Sequence, residues 1–365
     1  MAVSKVSGVR LAGIASAVPD HKHHFSELAG TFGAEEVKKI SDSTGVVERF
    51  LAPPGMCTSD LCFAAAERLL GETGWERSSV DALIMVSQTL DYVLPATACA
   101  LQHRLRLSKG CAAFDVGLGC SGFVYGLWLA STLIAGGGLR RVFLLAGDCS
   151  SGLLSPEDRS VALLFGDAGT ATAIERGDGP AMTFVLGTDG GGRDNLVIPA
   201  GGCRLPRTVE TAARSAREGG NVRSEQDLYM NGAEIFTFTL REVPPLVKTV
   251  LTEAGSTVEG TDAFVFHQAN KFMLDYLVKR MKLPPEKVPL VLARYGNTSS
   301  ASIPLAMTDA LGPRLSAQRQ RLLLAGFGVG YSWGAVALEC GPMPMPEVLR
   351  IPDAAIQAGW EAPAA

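Results

Sequence analysis

Histidine is scarce, with 5 in 365 residues, and aromatic residues make up only 7% of the chain. The 8 cysteines, at positions 57, 62, 99, 111, 120, 149, 203 and 340, include no C-x-x-C pair. That scatter indicates neither a zinc site nor a disulfide framework, so no metal is expected. Positive charge is not in excess either: 33 Lys and Arg stand against 37 Asp and Glu, a net charge of −4. The footprint of a nucleic-acid binder is therefore missing. No apolar run reaches membrane-spanning length without a Gly or a charge, so no membrane span is expected. The start, Met1-Ala2-Val3-Ser4-Lys5-Val6, lacks the apolar core of a secretory signal, which makes the cytoplasm the expected location.

Three of the histidines crowd into His21-Lys22-His23-His24. This reads as a polar loop rather than a metal site, because no second ligand cluster accompanies it. His103 falls among Arg104, Arg106 and Lys109 and reads as a surface residue. What the chain does have is apolar bulk. It is 47% hydrophobic and 19% charged, enough for a large core in one big domain or two related halves.

Short apolar runs alternate with longer helical stretches. Strands are expected at Ala82–Ser87, Ala112–Val116 and Arg141–Gly147, and helices at Pro95–Leu107 and Ser121–Ile134. That alternation predicts an α/β fold with a mostly parallel sheet covered on both faces. The second half repeats the theme. Asp262–Phe266 reads as a strand leading into a helix over Lys271–Met281, and Leu322–Phe327 resembles Leu144–Gly147. Two halves of typical domain size, 1–180 and 181–341, are expected to meet at one site. The stretch Ala200–Gln226 has little apolar periodicity and reads as a long loop with one helical piece. A proline-rich tail, 342–365, is expected to wrap the surface or fray.

Cys120 is the residue that points to chemistry. In Phe114-Asp115-Val116-Gly117-Leu118-Gly119-Cys120-Ser121-Gly122, a strand breaks into glycines just before a helix. A thiol at the first turn of a helix meets free N–H groups and the positive end of the helix dipole, which favour a thiolate nucleophile. His267 ends an apolar strand, and Asn297 lies in a small-residue turn before a helix over Pro304–Leu311. Each alone is ordinary. All three occupy the carboxyl ends of strands or the starts of helices, where ligands bind in open α/β sheets. Together they would supply a nucleophile and two donors for a developing oxyanion.

With these segments on view, the chain resembles the thiolase superfamily and, more narrowly, β-ketoacyl-acyl-carrier-protein synthase III. The motifs are Gly119-Cys120-Ser121-Gly122-Phe123, His267-Gln268-Ala269-Asn270, Gly296-Asn297-Thr298-Ser299 and Gly326-Phe327-Gly328-Val329-Gly330, with Ser43–Arg49 and Leu164–Gly169. The resemblance implies two pseudo-symmetric βαβαβαββ halves stacked as a five-layer α-β-α-β-α sandwich. It implies a decarboxylative Claisen condensation, in which Cys120 takes an acyl group from a thioester and a malonyl thioester loses CO₂ and attacks it. His267 and Asn297 would stabilise the enolate, and the N–H groups of Cys120 and Val329 would form the other oxyanion hole. Thr44, Arg159, Gly232, Phe236, Asn270 and Gly328 would line the thioester path. An acyl carrier protein and an identical second subunit are the implied partners; no metal or redox cofactor is implied.

The chain departs from that family's usual pattern in places. Ser43 stands where an Arg is usual, and Val37-Lys38-Lys39-Ile40 lacks a Trp that usually stacks on the adenine of coenzyme A opposite Arg159. Both changes shift the expected acyl donor toward a carrier-protein thioester. Val329 replaces a usual Gly. Leu94, where an aromatic residue often closes the partner subunit's side of the acyl pocket, leaves room for a longer chain or simply packs an interface. Lys271, Lys279 and Arg280 are candidate contacts for an acidic carrier protein. A non-decarboxylating acyltransferase to oxygen or nitrogen and a non-catalytic heterodimer subunit are the alternatives. The intact Cys, His and Asn set speaks against both. A Rossmann oxidoreductase is a poor fit, because Gly326-Phe327-Gly328-Val329-Gly330 lacks the G-x-G-x-x-G spacing and lies at the chain's end.

Overall fold

The computed structural model describes residues 1–355. Two sheets dominate it. The first has six strands in the order Leu349–Ile351, Val9–Pro19, Ala168–Arg176, Arg141–Asp148, Ala82–Val86 and Ala112–Val116. The second has five, in the order Ala2–Val6, Met182–Thr188, Ser332–Cys340, Gln320–Gly328 and Ala263–Phe266. Ala82–Val86 runs parallel to both of its neighbours, and Ala263–Phe266 runs parallel to Gln320–Gly328. Both sheets are mixed rather than mostly parallel, however, because Val9–Pro19, Ala168–Arg176 and Arg141–Asp148 pair antiparallel in turn, as do Met182–Thr188, Ser332–Cys340 and Gln320–Gly328. All five residues of Ala82–Val86 are buried, as a strand covered on both faces should be.

Three apolar cores define five layers. Between the sheets lie the helices Gly122–Ala135 and Ser302–Ala317, whose Phe123, Leu127, Ile303 and Met307 pack against Ile84, Leu144, Val265 and Leu324. The outer face of the six-stranded sheet is covered by Thr58–Thr73 and Thr97–Arg104, through Leu61, Leu69 and Leu101. The outer face of the other sheet is covered by Gly232–Ala254 and Lys271–Met281, through Phe238, Val247 and Leu274. This is the expected α-β-α-β-α sandwich. A helix in the middle layer is buried on both sides, as Gly122–Ala135 is over most of its length; Ser302–Ala317 is buried through its first seven residues and carries Asp309 and Arg314 where it emerges.

The division at residue 180 needs one amendment. Ala2–Val6 pairs antiparallel with Met182–Thr188 in the second sheet. Leu349–Ile351, from the proline-rich tail, pairs parallel with Ala17–Pro19 in the first. Each half thus takes its edge strand from the other end of the chain. The tail does not merely wrap the surface: it completes a sheet, and Pro344 O accepts the Ile14 N–H at 3.2 Å. Residues 356–365 of the tail lie outside the described residues.

Local differences have local causes. The helix expected over Pro95–Leu107 spans only Thr97–Arg104, because Arg106 turns into the left-handed region at φ 52°. Lys22–His24 is a short strand paired with Glu48–Phe50 rather than a loop. Its histidines act locally: His24 caps the following turn and His23 pairs with Glu27 at 3.2 Å. The 200–226 stretch does contain one short helix, Val209–Ala212, and adds a two-residue hairpin, Ser215–Ala216 with Val222–Arg223. His103 is exposed as expected, but its neighbour Arg104 is buried and pairs with Asp60 at 2.7 Å.

Candidate active site

Cys120 sits two residues before the first residue of the helix Gly122–Ala135, where the strand Ala112–Val116 has ended. Gly328 ends the strand opposite. A Cβ there would lie 2.6 Å from Cys120 Cβ and 2.8 Å from its Sγ, so only glycine lets the thiol rest against that strand. The backbone of Val329 and that of Cys120 itself favour the thiolate form of Cys120, against its burial.

Asn297 is held by its backbone. Its N–H donates to Leu164 O at 2.9 Å, and its carbonyl accepts the Gly166 N–H at 3.0 Å. The Leu164–Gly169 motif is thus the anchor of Asn297. The Ser43–Arg49 motif meets it too, since buried Arg49 donates to Phe165 O at 2.8 Å. Burial pulls the Arg49 guanidinium down to about 10, with Asp167 opposing. The Asn297 amide reaches Ala269 O at 3.4 Å, which sets it beside the His267 strand end.

His267 Nδ1 pairs with Ser302 Oγ at 2.7 Å, and its ring stands edge-on to Phe327 with centroids 5.7 Å apart. Burial lowers the imidazole to about 3, against a backbone hydrogen bond with Ser299. It is therefore neutral near pH 7, with one N–H to give.

Ser299 joins the three. Its N–H donates to Asn297 Oδ1 at 2.9 Å, while its backbone favours the charged form of His267 and its side chain that of Cys120. It does so in the left-handed region, at φ 49°, a conformation that costs a non-glycine residue energy. Cys120, His267 and Asn297, from distant stretches, thus share one serine.

The thiol differs from expectation in one respect. Burial, then the nearby Asp148 charge, outweigh the N–H groups and push it up to about 11, so Cys120 rests as a thiol and not a thiolate. Asp148 was not among the expected site residues. It ends the strand Arg141–Asp148, one residue past the predicted end of that strand, and it is almost fully buried. That strand is separated from Ala112–Val116 by Ala82–Val86, so nothing in the sequence ties Asp148 to Cys120.

A cavity of about 310 Å³ opens beside the thiol. Leu153, Phe165, Leu196, Val197, Ile198 and Leu228 make its apolar side, and Gln88, Thr89, Asp148 and Ser299 its polar side. Gly328 borders the thiol, but Thr44, Arg159, Gly232, Phe236 and Asn270 do not line this cavity. Thr44 Oγ1 donates back to Ile40 O at 2.9 Å. Asn270 caps the helix Lys271–Met281, and its Oδ1 accepts the Met273 N–H at 2.8 Å. Gly232 opens the helix Gly232–Ala254, and Phe236 stacks near Phe272 and Tyr276 at 5.4 and 5.6 Å. Arg159 donates to Gly219 O at 2.6 Å and approaches Glu36 at 3.6 Å, so the 200–226 stretch closes onto it. Lys271, Lys279 and Arg280 all lie on the helix Lys271–Met281; Lys271 pairs with Asp275. Leu94 is 80% exposed, in a run with Tyr92 and Val93, away from the Cys120 cavity of the same chain. Among the described residues, no helix is long and apolar enough to cross a membrane.

Comparison with known proteins gives one answer. Residues 114–190 match the family model 3-oxoacyl-[acyl-carrier-protein (ACP)] synthase III, and residues 251–340 match the model of its C-terminal part. The chain is 35% identical over 335 residues to a putative 3-oxoacyl-[acyl-carrier-protein] synthase 3 of Campylobacter jejuni, covering 90% of this chain and 93% of that protein. A crystal structure of a 3-oxoacyl-(acyl-carrier protein) synthase from Burkholderia xenovorans superposes with a TM-score of 0.90 at 44% identity, covering 96% of this chain and 99% of that one. The priming β-ketosynthase of the R1128 polyketide pathway superposes at 0.77 with 27% identity, covering 95% and 99%. With nucleophile, imidazole and carboxamide gathered around one serine in a five-layer sandwich, and relatives matched over nearly their whole length, the chain belongs to the 3-oxoacyl-[acyl-carrier-protein] synthase III family of thiolase-fold acyltransferases.

Proposed function

We propose that the protein joins an acyl group to a malonyl unit carried as a thioester, with loss of CO₂. Cys120 attacks the acyl thioester, and the N–H groups of Cys120 and Val329 hold the carbonyl oxygen as it becomes an oxyanion. The free thiol leaves and a malonyl thioester takes its place. Decarboxylation puts negative charge on the thioester oxygen, where the neutral His267 N–H and the Asn297 amide stabilise it. The carbanion then attacks the acyl-Cys carbonyl and releases a β-ketoacyl product. Two fixed donors in a dry pocket supply most of this acceleration, at about 3 kcal/mol each. Neither step changes an oxidation state or needs a Lewis acid, so the reading calls for no cofactor.

The observation that carries this reading is Ser299, which lines the cavity together with Cys120, donates its N–H to Asn297 and acts electrostatically on His267 and Cys120. An acyl carrier protein is the proposed bearer of the malonyl group, with the helix Lys271–Met281 as its docking face. The exposed Tyr92-Val93-Leu94 run supports a homodimer, in which Leu94 reaches the partner's acyl pocket. Arg159 is engaged by Gly219 and Glu36, which favours a carrier-borne acyl donor over coenzyme A. The cytoplasm is the proposed location. Intact-protein mass spectrometry after incubation with acyl-carrier protein or acyl-CoA tests the first step. The expected adduct is present in the wild type and absent in Cys120→Ala. Wild type that gains no adduct from either donor would refute the reading.

A further inference from the structure

Ser300 stands between the supports of His267 and Asn297. Ser299, one residue before it, gives its N–H to Asn297 Oδ1 at 2.9 Å. Ser302, two residues after it, pairs through Oγ with His267 Nδ1 at 2.7 Å. The backbone here is a short turn, Ser299–Ala301, that leads into the central helix Ser302–Ala317. Ser299 opens the turn at φ 49°, a conformation that a serine keeps only where its surroundings hold it.

What holds the turn is a carboxylate from the other half of the chain. Asp148 ends the strand Arg141–Asp148 and is buried. Its Oδ2 accepts Ser300 Oγ at 2.8 Å and the Ser300 N–H at 3.2 Å. Its Oδ1 accepts the Gln88 N–H at 2.8 Å, Ser87 Oγ at 3.1 Å and Thr89 Oγ1 at 3.3 Å. Ser87, Gln88 and Thr89 directly follow Ala82–Val86, the strand paired with Arg141–Asp148. One carboxylate oxygen thus grips the sheet and the other grips the turn. Each of these donors is neutral. A charge buried among neutral groups is costly unless hydrogen bonds saturate it, so its use here calls for a reason. The donor set supplies one. Each oxygen receives a main-chain N–H, which can only donate. A carboxamide has a single acceptor oxygen and cannot serve both.

We propose that Asp148 is a positioning residue for decarboxylation: it anchors Ser300 to the end of the six-stranded sheet and so fixes, through Ser299 and Ser302, the Asn297 carboxamide and the His267 ring. This rests on the acyl-Cys reading above. Donors for a developing oxyanion work only when aimed at the place where the charge appears, and a shift of about 1 Å costs about a hundredfold in rate. Cys120 is set by other elements, the start of the helix Gly122–Ala135 and Gly328 at the end of its strand. A loosened turn therefore strikes decarboxylation and not loading. The Asp148 charge also opposes the Cys120 thiolate, so its removal favours loading if it changes it at all.

The test follows the two half-reactions separately on the full chain. Loading is the single-turnover gain of an acyl adduct on Cys120. Decarboxylation is the release of labelled CO₂ when malonyl-carrier protein is added to the loaded enzyme. In Asp148→Asn the ratio of CO₂ release to loading should fall about a hundredfold. A merely structural role lowers both rates together and leaves the ratio where it was. If Asp148→Asn does not fold, Ser300→Ala decides: it removes one of the two donors to Oδ2, keeps the N–H, and should lower the same ratio about tenfold. A ratio at or above the wild-type value in the deciding variant overturns the positioning role. A wild type that no thioester loads overturns the acyl-Cys reading instead, and the positioning role with it.

Discussion

Asn297 and Phe165 lie side by side in a parallel bridge, so the Asn297 carboxamide is fixed by main-chain bonds to Leu164 and Gly166 on either side. The side chain accepts the Ser299 N–H and reaches Ala269 O at 3.4 Å, but the turn itself is held by the backbone. Asn297→Ala should therefore fold, keep its Cys120 adduct and lose decarboxylation. Removing one oxyanion donor costs about 10²–10³ in rate. Release of labelled CO₂ from malonyl-carrier protein, with His267→Ala as companion, measures it; an unchanged rate in both would remove them from the chemistry.

Acid should weaken the fold through His267. Its folded-state value, about 3, lies below the unfolded value near 6.5. Between those values the unfolded chain binds one proton more, so stability falls as pH drops from 6.5 toward 3. The slope from this one group is at most about 1.4 kcal/mol per pH unit. Denaturant titrations of wild type and His267→Gln over that window should diverge steadily, the variant being less pH-sensitive.

The Arg104–Asp60 pair lies under the outer helices, with side chains 1% and 4% exposed. Arg104 also stacks over the Phe63 ring at 4.1 Å. Arg104→Met would leave a buried carboxylate without its cation, a change that costs about 3–5 kcal/mol. Thermal unfolding should show a drop of several degrees with acylation chemistry intact at lower temperature.

Ile198 and Leu228 bound the apolar side of the 310 Å³ cavity, a space of about ten water volumes. Ile198→Trp should fill it. Acetyl transfer to Cys120 should survive, while octanoyl transfer falls by about 10- to 200-fold. Competition between the two donors, read by adduct mass, gives the ratio directly.

Val93 is fully exposed and Leu94 nearly so, a costly arrangement unless a partner covers them. Val93→Glu with Leu94→Glu should leave the chain monomeric in light scattering where the wild type forms the proposed homodimer. Acylation should fall with it, since Leu94 is expected to complete the neighbour's pocket.

Much of this was legible because apolar spacing and glycines carry the information. Ala112–Val116 and Lys271–Met281 fall where they were expected, each being a short periodic run with clear ends. Prolines hid the rest. The long helix Gly232–Ala254 was not among the expected elements; it contains Pro244 and Pro245, yet its buried face continues through Leu246, Val247 and Val250. Pro313 similarly concealed the last turns of Ser302–Ala317. Packing in a filled layer overrode the lost N–H groups. Cys120, His267 and Asn297 were readable as strand ends and helix starts. Ser299 and Asp148 were not, because a serine in a small-residue turn and a carboxylate after a strand look unremarkable until the fold sets them against a sulfur.

The crossed edge strands bear on how the chain is made. Ala2–Val6 has no pairing partner until Met182–Thr188 has left the ribosome, and Val9–Pro19 waits longer still for Leu349–Ile351. A growing chain therefore carries unzipped β-edges through most of its synthesis, and such non-local closure is slow. Separate expression of residues 1–180 should yield a sticky fragment rather than a soluble half, with the missing edges recovered only when both pieces are present together.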